Sequence, residues 1–161
     1  MIDVVPAAPA DRDVLDRLWQ LFRHDMSEFT GELPDVDGRY RSERLEAAFT
    51  DPGWLAYLVT LDAAPVGFAV VRGLDASERV LNSYFVVRGA RGRGVGIAAA
   101  AQVLRRHPGA WSVAFQDANA SAVRLWRRVA AEVAGAGWSE EHRAVPGRPE
   151  LPPDTWISLR V

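Results

Sequence analysis

The fold is decided by residues 86–98, which read VVRGARGRGVGIA. Apolar residues end a strand, a loop of glycine and arginine follows, and a helix of small residues begins. Glycine lets the backbone adopt positive φ and approach a ligand closely, while a helix start offers unpartnered N–H groups and a partial positive charge. The stretch therefore predicts a strand–loop–helix turn that seats a phosphate or pyrophosphate. A tight turn without a ligand is the alternative.

Apolar periodicity on both sides of this loop gives the element order β-α-α-β-β-β-α-β-α-β-β. Strands are predicted over residues 1–5, 54–61, 66–71, 80–87 and 110–115, and helices over residues 10–26, 40–49, 94–107 and 120–133. Two last strands are expected within residues 138–161, around a proline-rich loop at 146–153. This order predicts an α/β (α+β) fold, with a mixed, mostly antiparallel sheet flanked by helices. Without a repeat or a long linker, residues 1–161 are predicted to form a single domain.

The composition excludes several classes of chemistry. All 19 basic side chains are arginine, and there is no lysine or cysteine. Schiff-base enzymes, Walker-type phosphate loops, disulfides and thiolate nucleophiles are therefore excluded. A net charge of -2 argues against a nucleic-acid partner. The longest uncharged run, residues 94–104, is far shorter than the roughly 20 residues of a membrane span, so we expect a cytoplasmic protein without a membrane partner.

Residues 94–99, GVGIAA, also fit the G-x-G-x-x-A fingerprint of dinucleotide-binding proteins. Asp117 lies near the position expected for the acid that binds the ribose. However, residues 88–93 separate the strand from the first glycine of the fingerprint, whereas the fingerprint strand runs almost directly into it. Only one strand–helix–strand unit is present, which is half of a dinucleotide site. These features argue against a nicotinamide cofactor.

Two segments resemble the GCN5-related N-acetyltransferases (GNAT), a superfamily that depends on acyl-CoA. Residues 91–96, RGRGVG, are similar to its Arg/Gln-x-x-Gly-x-Gly/Ala motif, and residues 119–126, NASAVRLW, to its Asn-x-x-Ala-x-x-Phe-Tyr segment. The order of strands and helices is similar too, so the resemblance covers nearly the whole chain. It implies acetyl-CoA as cosubstrate and a primary amine of a small molecule or peptide as acceptor. A homodimer, common among relatives, is left open.

The resemblance also implies which residues contact CoA. Val86 and Val87 should offer backbone groups to the pantetheine arm, and the glycine loop should line the pyrophosphate between Arg91 and Arg93. Asn119 should lie near the pantetheine or the acceptor, and a helix N-cap is its alternative role. The implied cofactor-binding set is Val86, Val87, Arg91, Gly92, Arg93, Gly94, Val95, Gly96, Ile97 and Asn119.

The catalytic groups depart from the family pattern. Many members have a tyrosine that protonates the thiolate where this chain has Trp126, and an indole N–H is not a useful acid. We therefore assign Trp126 to core packing, with contact to CoA as its alternative role, and the resemblance places the chain in a sub-branch with Trp in place of Tyr. The central strand lacks the frequent glutamate, and Asn82 and Ser83 cannot take a proton at neutral pH. Tyr84 is the one titratable side chain there and the candidate proton shuttle, with a core aromatic as its alternative.

Glu28 and Glu32 lie between the first two helices, where acceptors enter in the family. They are predicted either to bind a cationic amine or to be solvated loop carboxylates. His24 and His142 lack the spacing of metal ligands, so no metal site is assigned. The sequence thus predicts an acetyl-CoA-dependent N-acetyltransferase that acts by direct transfer. The alternative is an acyl-CoA-binding regulatory domain of the same fold without activity.

Overall fold

The computed structural model describes all 161 residues, as seven strands in one sheet and four helices. The strands are β1 (Ile2–Pro6), β2 (Trp54–Leu61), β3 (Ala64–Arg72), β4 (Glu78–Val86), β5 (Ala110–Phe115), β6 (Trp138–Arg143) and β7 (Asp154–Arg160). The helices are α1 (Arg12–Thr30), α2 (Glu43–Thr50), α3 (Val95–Arg105) and α4 (Ala120–Ala134). The element order is the predicted one.

The sheet has the order β1-β2-β3-β4-β5-β7-β6, and every neighbouring pair is antiparallel except β4 and β5. The α3 crossover joins that parallel pair, as a parallel connection requires. The predicted α/β fold, with a mixed, mostly antiparallel sheet flanked by helices, is therefore confirmed.

The two parallel strands part halfway along their length. β4 pairs with β5 only over Glu78–Leu81, although it stays paired with β3 as far as Val86. The separation begins at Asn82, where the register with β3 shifts by one residue and forms a β-bulge. Beyond the bulge the sheet has a gap between β4 and β5, and this gap positions the site.

Helices cover both faces of the sheet because alternate strand residues point to opposite sides. The face toward α3 and α4 carries the larger core, which includes Trp111, Trp126 and Ile157. The face toward α1 and α2 carries a smaller core with Trp19 and Phe68 at its centre. No helix combines the length and apolar character needed to cross a bilayer.

Two predicted boundaries differ from the structure near the gap. The first helix continues past residue 26 because nothing breaks it before Gly31, whose left-handed φ of 68° ends it. The second helix begins at Glu43 rather than at residue 40. The amide side chain of Gln20 bonds both the N–H and the carbonyl of Tyr40, which holds that segment against α1 outside the helix.

Candidate active site

A cleft of about 710 Å³ lies at the end of β4, beyond the residues that pair with β5. Its walls come from the last turns of α1, the end of β4, the glycine loop, the first turn of α3 and one face of α4. Of the ten predicted cofactor residues, seven line it: Val86, Arg91, Gly92, Gly94, Gly96, Ile97 and Asn119. The structure therefore brings the two sequence segments that suggested a CoA site to one place.

The glycine loop is shaped by two left-handed residues. Gly92 has a φ of 75° and Gly94 a φ of 77°, values that L side chains rarely adopt. No heavy atom lies within 4 Å of a Cβ built at either position, so the backbone borders open space. The first helical bond runs from the N–H of Ala98 to the carbonyl of Gly94, which leaves the preceding amides of α3 without helical acceptors. This arrangement suits an anion.

A carboxylate on α1 holds the loop in place. Arg88 donates through Nε and Nη2 to Oδ1 of Asp25 at 3.2 and 2.8 Å, and Arg91 donates to Oδ2. Arg91 also donates through Nε to the carbonyl of Val86 at 2.7 Å. Burial raises the pKa of Asp25, but the hydrogen bonds from Arg91 and Arg88 outweigh it and the pKa is lowered overall. Asp25 is thus an ionised clamp between α1 and the loop.

Three predicted cofactor residues lie outside the cleft lining. The N–H of Val87 bonds the carbonyl of Val66 at 2.7 Å, because the chain is still paired with β3 there. Val95, the first residue of α3, turns its apolar side chain into the core and is 2% exposed. Arg93, between the two left-handed glycines, is not among the residues that line the cleft. Its contact with the pyrophosphate stays a prediction.

Two other arginines supply positive charge to the cleft. Arg124 and Arg128 line it from α4. Neither forms an ion pair with a carboxylate in the structure. Ser121, Arg124 and Arg128 share one helix face at spacings of three and four residues, and that face points into the cleft. Both arginines lie on the helix that Asn119 caps, and this is the sequence signal that could have identified them.

Asn119, Trp126 and Tyr84 form the inner wall. The side-chain oxygen of Asn119 accepts from the N–H of Ala122 at 3.1 Å, which confirms the N-cap alternative while the residue also lines the cleft. Trp126 is 6% exposed and packs edge-on against Tyr84 with ring centroids 5.3 Å apart, as core packing predicted.

The hydroxyl of Tyr84 donates to the carbonyl of Gly96 at 2.6 Å, and burial raises its pKa. This bond ties β4 to the first turn of α3. Tyr84 therefore keeps its proton at neutral pH, and its role as a proton shuttle stays a prediction.

The two candidate acceptor carboxylates have different surroundings. Glu28 lines the cleft and takes part in no ion pair. Glu32 lies outside it and forms ion pairs with Arg23 and Arg41, so it is not a solvated loop carboxylate, and its binding of an amine stays a prediction. A close pair of arginines, invisible in the linear sequence, is the reason.

Comparison with known proteins agrees with this architecture. The model of the acetyltransferase (GNAT) family matches residues 16–130. No curated protein sequence matches the chain. An acetyltransferase from Thermus thermophilus superimposes with a TM-score of 0.69 at 19% identity, over 100% of this chain and 97% of that one.

The ribosomal-protein-S18-alanine N-acetyltransferase of Escherichia coli gives a TM-score of 0.67 at 14% identity, over 100% of this chain and 94% of that one. The spermidine N-acetyltransferase of Vibrio cholerae, solved with CoA and spermine, gives 0.69 at 13% identity, over 99% and 95%. At these identities the structural likenesses show the fold, and the family model shows membership. The chain belongs to the GNAT acetyltransferase family.

Proposed function

We propose that this protein transfers the acetyl group of acetyl-CoA directly to a primary amine of a small molecule or peptide. The observation that carries the proposal is the glycine loop at the start of α3, which forms one wall of the cleft at the end of β4. The sheet is continuous over all seven strands, which supports residues 1–161 as a single catalytic domain.

The residues present fit CoA. Gly92 and Gly94 leave open backbone beside the unpartnered amides of α3, where a pyrophosphate would bind, and Gly96 also lines the cleft. Arg124 and Arg128 add guanidinium groups that no carboxylate neutralises. Apolar side chains from α1, α3 and α4 give the cleft walls suited to the pantetheine arm: Phe22, Met26, Phe29, Ile97 and Leu125.

Acetyl-CoA supplies the acetyl group as a thioester. Transfer forms a bond from the amine nitrogen to the acetyl carbon and breaks the carbon–sulfur bond; the amine loses a proton and the thiolate gains one. The chain has no cysteine to carry an acetyl group, which favours direct transfer. Glu28 is the carboxylate of the cleft outside an ion pair, so we assign it to attract the cationic amine.

One observation favours a second candidate, a CoA-binding domain without activity. Trp126 is buried where many relatives carry the proton donor, and the hydroxyl of Tyr84 is occupied by the carbonyl of Gly96. Neither group releases a proton readily. In the proposed enzyme, therefore, water protonates the departing thiolate and Tyr84 positions the first turn of α3.

Calorimetric titration with CoA and a thiol-release assay separate these candidates. Because the chain has no cysteine, every thiol that reacts with a chromogenic disulfide comes from CoA. We expect CoA to bind and a panel of amines to release thiol from acetyl-CoA faster than the protein-free control. Binding with no release across the panel would favour the inactive domain. Indifference to CoA with tight binding of NADPH would contradict both.

A further inference from the structure

A second concave region lies across α1 from the cleft. This region, called the arginine pocket below, has a volume of about 240 Å³. It is lined by Trp19, Arg23, Arg41, Glu43 and Arg44. Trp19 and Arg23 lie one turn apart on α1, and the other three residues belong to the start of α2 and the segment before it.

The wall of the arginine pocket is fixed by hydrogen bonds. The indole N–H of Trp19 donates to the carbonyl of Arg41 at 2.9 Å, and the Gln20 side chain bonds the backbone of Tyr40 in both directions. Trp19 itself is 1% exposed. The segment that carries Arg41 and Arg44 is therefore held against α1 independently of the two arginine side chains.

The donors of the pocket exceed its acceptors. Glu32 pairs with both Arg23 and Arg41, yet Nε of Arg23 is buried and has no hydrogen-bond partner. Arg44 forms no hydrogen bond and no ion pair, and Glu43, which also lines the pocket, accepts from none of the three arginines. Burial lowers the pKa of Arg23, and the charges of Arg41 and Arg44 lower it further. A buried unpartnered N–H is unfavourable, so an anion bound in the pocket would satisfy a donor that the protein leaves without an acceptor.

A carboxylate has the matching chemistry. Guanidinium groups present planar forks of N–H donors that bind carboxylates in a bidentate manner. Two arginines with free donors, Arg23 and Arg44, lie in a space that admits a small anionic group beside the ring of Trp19.

Two features relate the pocket to the elements that border the gap between β4 and β5. Arg44 and Asp154 influence each other: burial raises the pKa of Asp154, and the charge of Arg44 opposes that rise. Asp154 lies one residue beyond the pairing of Thr155 with Phe115, where β5 ends. On the other side, the ring of Phe22, which lines the cleft, contacts Trp19 with centroids 5.2 Å apart. Trp19 and Phe22 therefore connect the pocket to the cleft along α1.

We propose that the arginine pocket binds a carboxylate of the acceptor, so that the substrate is an amine that also carries a carboxylate. The inference rests on the proposed acetyltransferase function and deepens it. Arg44 determines specificity, because it is the arginine of the pocket without any protein partner.

Direct binding tests the pocket without turnover. Calorimetric titrations use glutarate, its uncharged analogue glutaramide and inorganic phosphate, on the wild type and on Arg44→Gln and Arg41→Gln. The matched control is Arg17→Gln, an exposed arginine of α1 that lines neither region. We expect glutarate to bind, glutaramide not to bind, and Arg44→Gln to weaken glutarate at least about tenfold while Arg17→Gln does not. Absent glutarate binding, equal affinity in Arg44→Gln, or binding of phosphate alone would overturn the proposal.

Turnover tests the link to the acceptor. β-Alanine, 4-aminobutyrate and 6-aminohexanoate are compared with their amides in the thiol-release assay. We expect kcat/KM to be at least about tenfold higher for one of the acids than for its amide, and Arg44→Gln to abolish that preference without changing CoA affinity. Equal preference in both proteins would overturn the acceptor role. If CoA does not bind, the proposed function fails, whereas the glutarate titration still decides the pocket.

Discussion

The cleft and the arginine pocket lie on two sides of one helix and are built from different chemical groups. In the cleft, backbone amides and left-handed glycines face the ligand space, and Asp25 neutralises the nearest arginines. In the pocket, side chains provide the donors, and Arg44 has no protein partner. The cleft therefore depends on backbone conformation as well as on the charges of Arg124 and Arg128, whereas the pocket depends on side-chain charge, so different substitutions should disable them.

Helix α1 connects the two regions. Asp25 bonds the glycine loop, and Trp19 and Arg23 form one wall of the pocket. Phe22 lies between them, in contact with both Trp19 and Phe85. A shift of α1 would therefore alter both regions, whereas a local substitution should alter one.

The largest effect is expected from Gly94→Glu, which should disable the cleft and spare the pocket. It places an L residue at a φ of 77° and puts an anion beside the pyrophosphate seat. We expect CoA affinity to fall by about 100-fold or more, equivalent to about 3 kcal/mol. Calorimetry measures it, with Gly89→Ala as control because that glycine has no positive φ and open space around it. Unchanged CoA affinity in a folded variant would reject the assigned site.

A smaller effect is expected from Asp25→Asn, which removes the charge that holds the loop to α1. The variant should lose about 2 kcal/mol of unfolding free energy at pH 7, because two arginines lose their ionised acceptor. The pKa of Asp25 is lowered in the folded state, so its contribution is complete above the ordinary value of 3.8 and is lost as pH falls through the folded pKa.

Urea unfolding of both proteins at neutral and acidic pH measures this difference. We expect it to shrink as the pH falls through the folded-state pKa of Asp25, because wild-type Asp25 then becomes protonated as well. Asp37→Asn, an exposed loop carboxylate without an ion pair, serves as control and should change little at either pH. A difference that is equal at both pH values would mean that Asp25 acts through shape rather than charge.

The cleft was largely predictable because its determinants are local in sequence. Glycine adopts positive φ readily, so the conformation of Gly92 and Gly94 could be predicted from the residue type. The helix that follows begins within a few residues. The predicted Asn119 cap likewise depends only on a neighbour three residues away. Side-chain directions were not predictable locally: Arg91 donates to Asp25, 66 residues away.

The arginine pocket could not be predicted for the same physical reason. Its shape depends on the bond from Trp19 to the carbonyl of Arg41, which joins residues 22 positions apart. Periodicity identifies which side of α1 is apolar, but not which loop will pack on it. The ion pairs of Glu32 with Arg23 and Arg41 could not be predicted either, because they depend on how the same segments pack. Long-range contacts therefore decided what composition and spacing left open.

Trp126→Phe asks whether the inner wall of the cleft is structural. Trp126 is 6% exposed and packs on Tyr84, so the smaller ring should cost about 1–2 kcal/mol of unfolding free energy and leave turnover within about twofold. Thermal unfolding and thiol release are measured on the same samples. Trp156→Phe, a half-buried tryptophan on the other face of the sheet, controls for the loss of an indole. A tenfold loss of turnover at full stability would show that Trp126 acts in catalysis.

Tyr84→Phe should have the smallest effect on the free energy of unfolding. This variant decides between proton transfer by Tyr84 and positioning of the α3 turn. Loss of the hydroxyl leaves the carbonyl of Gly96 without its donor and should cost about 1 kcal/mol, with turnover reduced less than about tenfold. Tyr57→Phe is the matched control, because its hydroxyl also forms a 2.6 Å hydrogen bond, to His107, but does not line the cleft.

The two tyrosine variants should therefore lose similar stability, and only Tyr84→Phe should also weaken CoA, because its hydroxyl anchors the turn that carries the glycine loop into α3. A proton donor would behave differently: kcat would fall by about 100-fold or more, and the basic limb of the pH profile would disappear with CoA affinity unchanged. The raised pKa of Tyr84 disfavours that outcome, because a more weakly acidic hydroxyl gives its proton less readily to a thiolate. A positioning role for Tyr84 would make the first turn of α3 depend on β4, so that the backbone-built cleft also depends on one side chain of its inner wall.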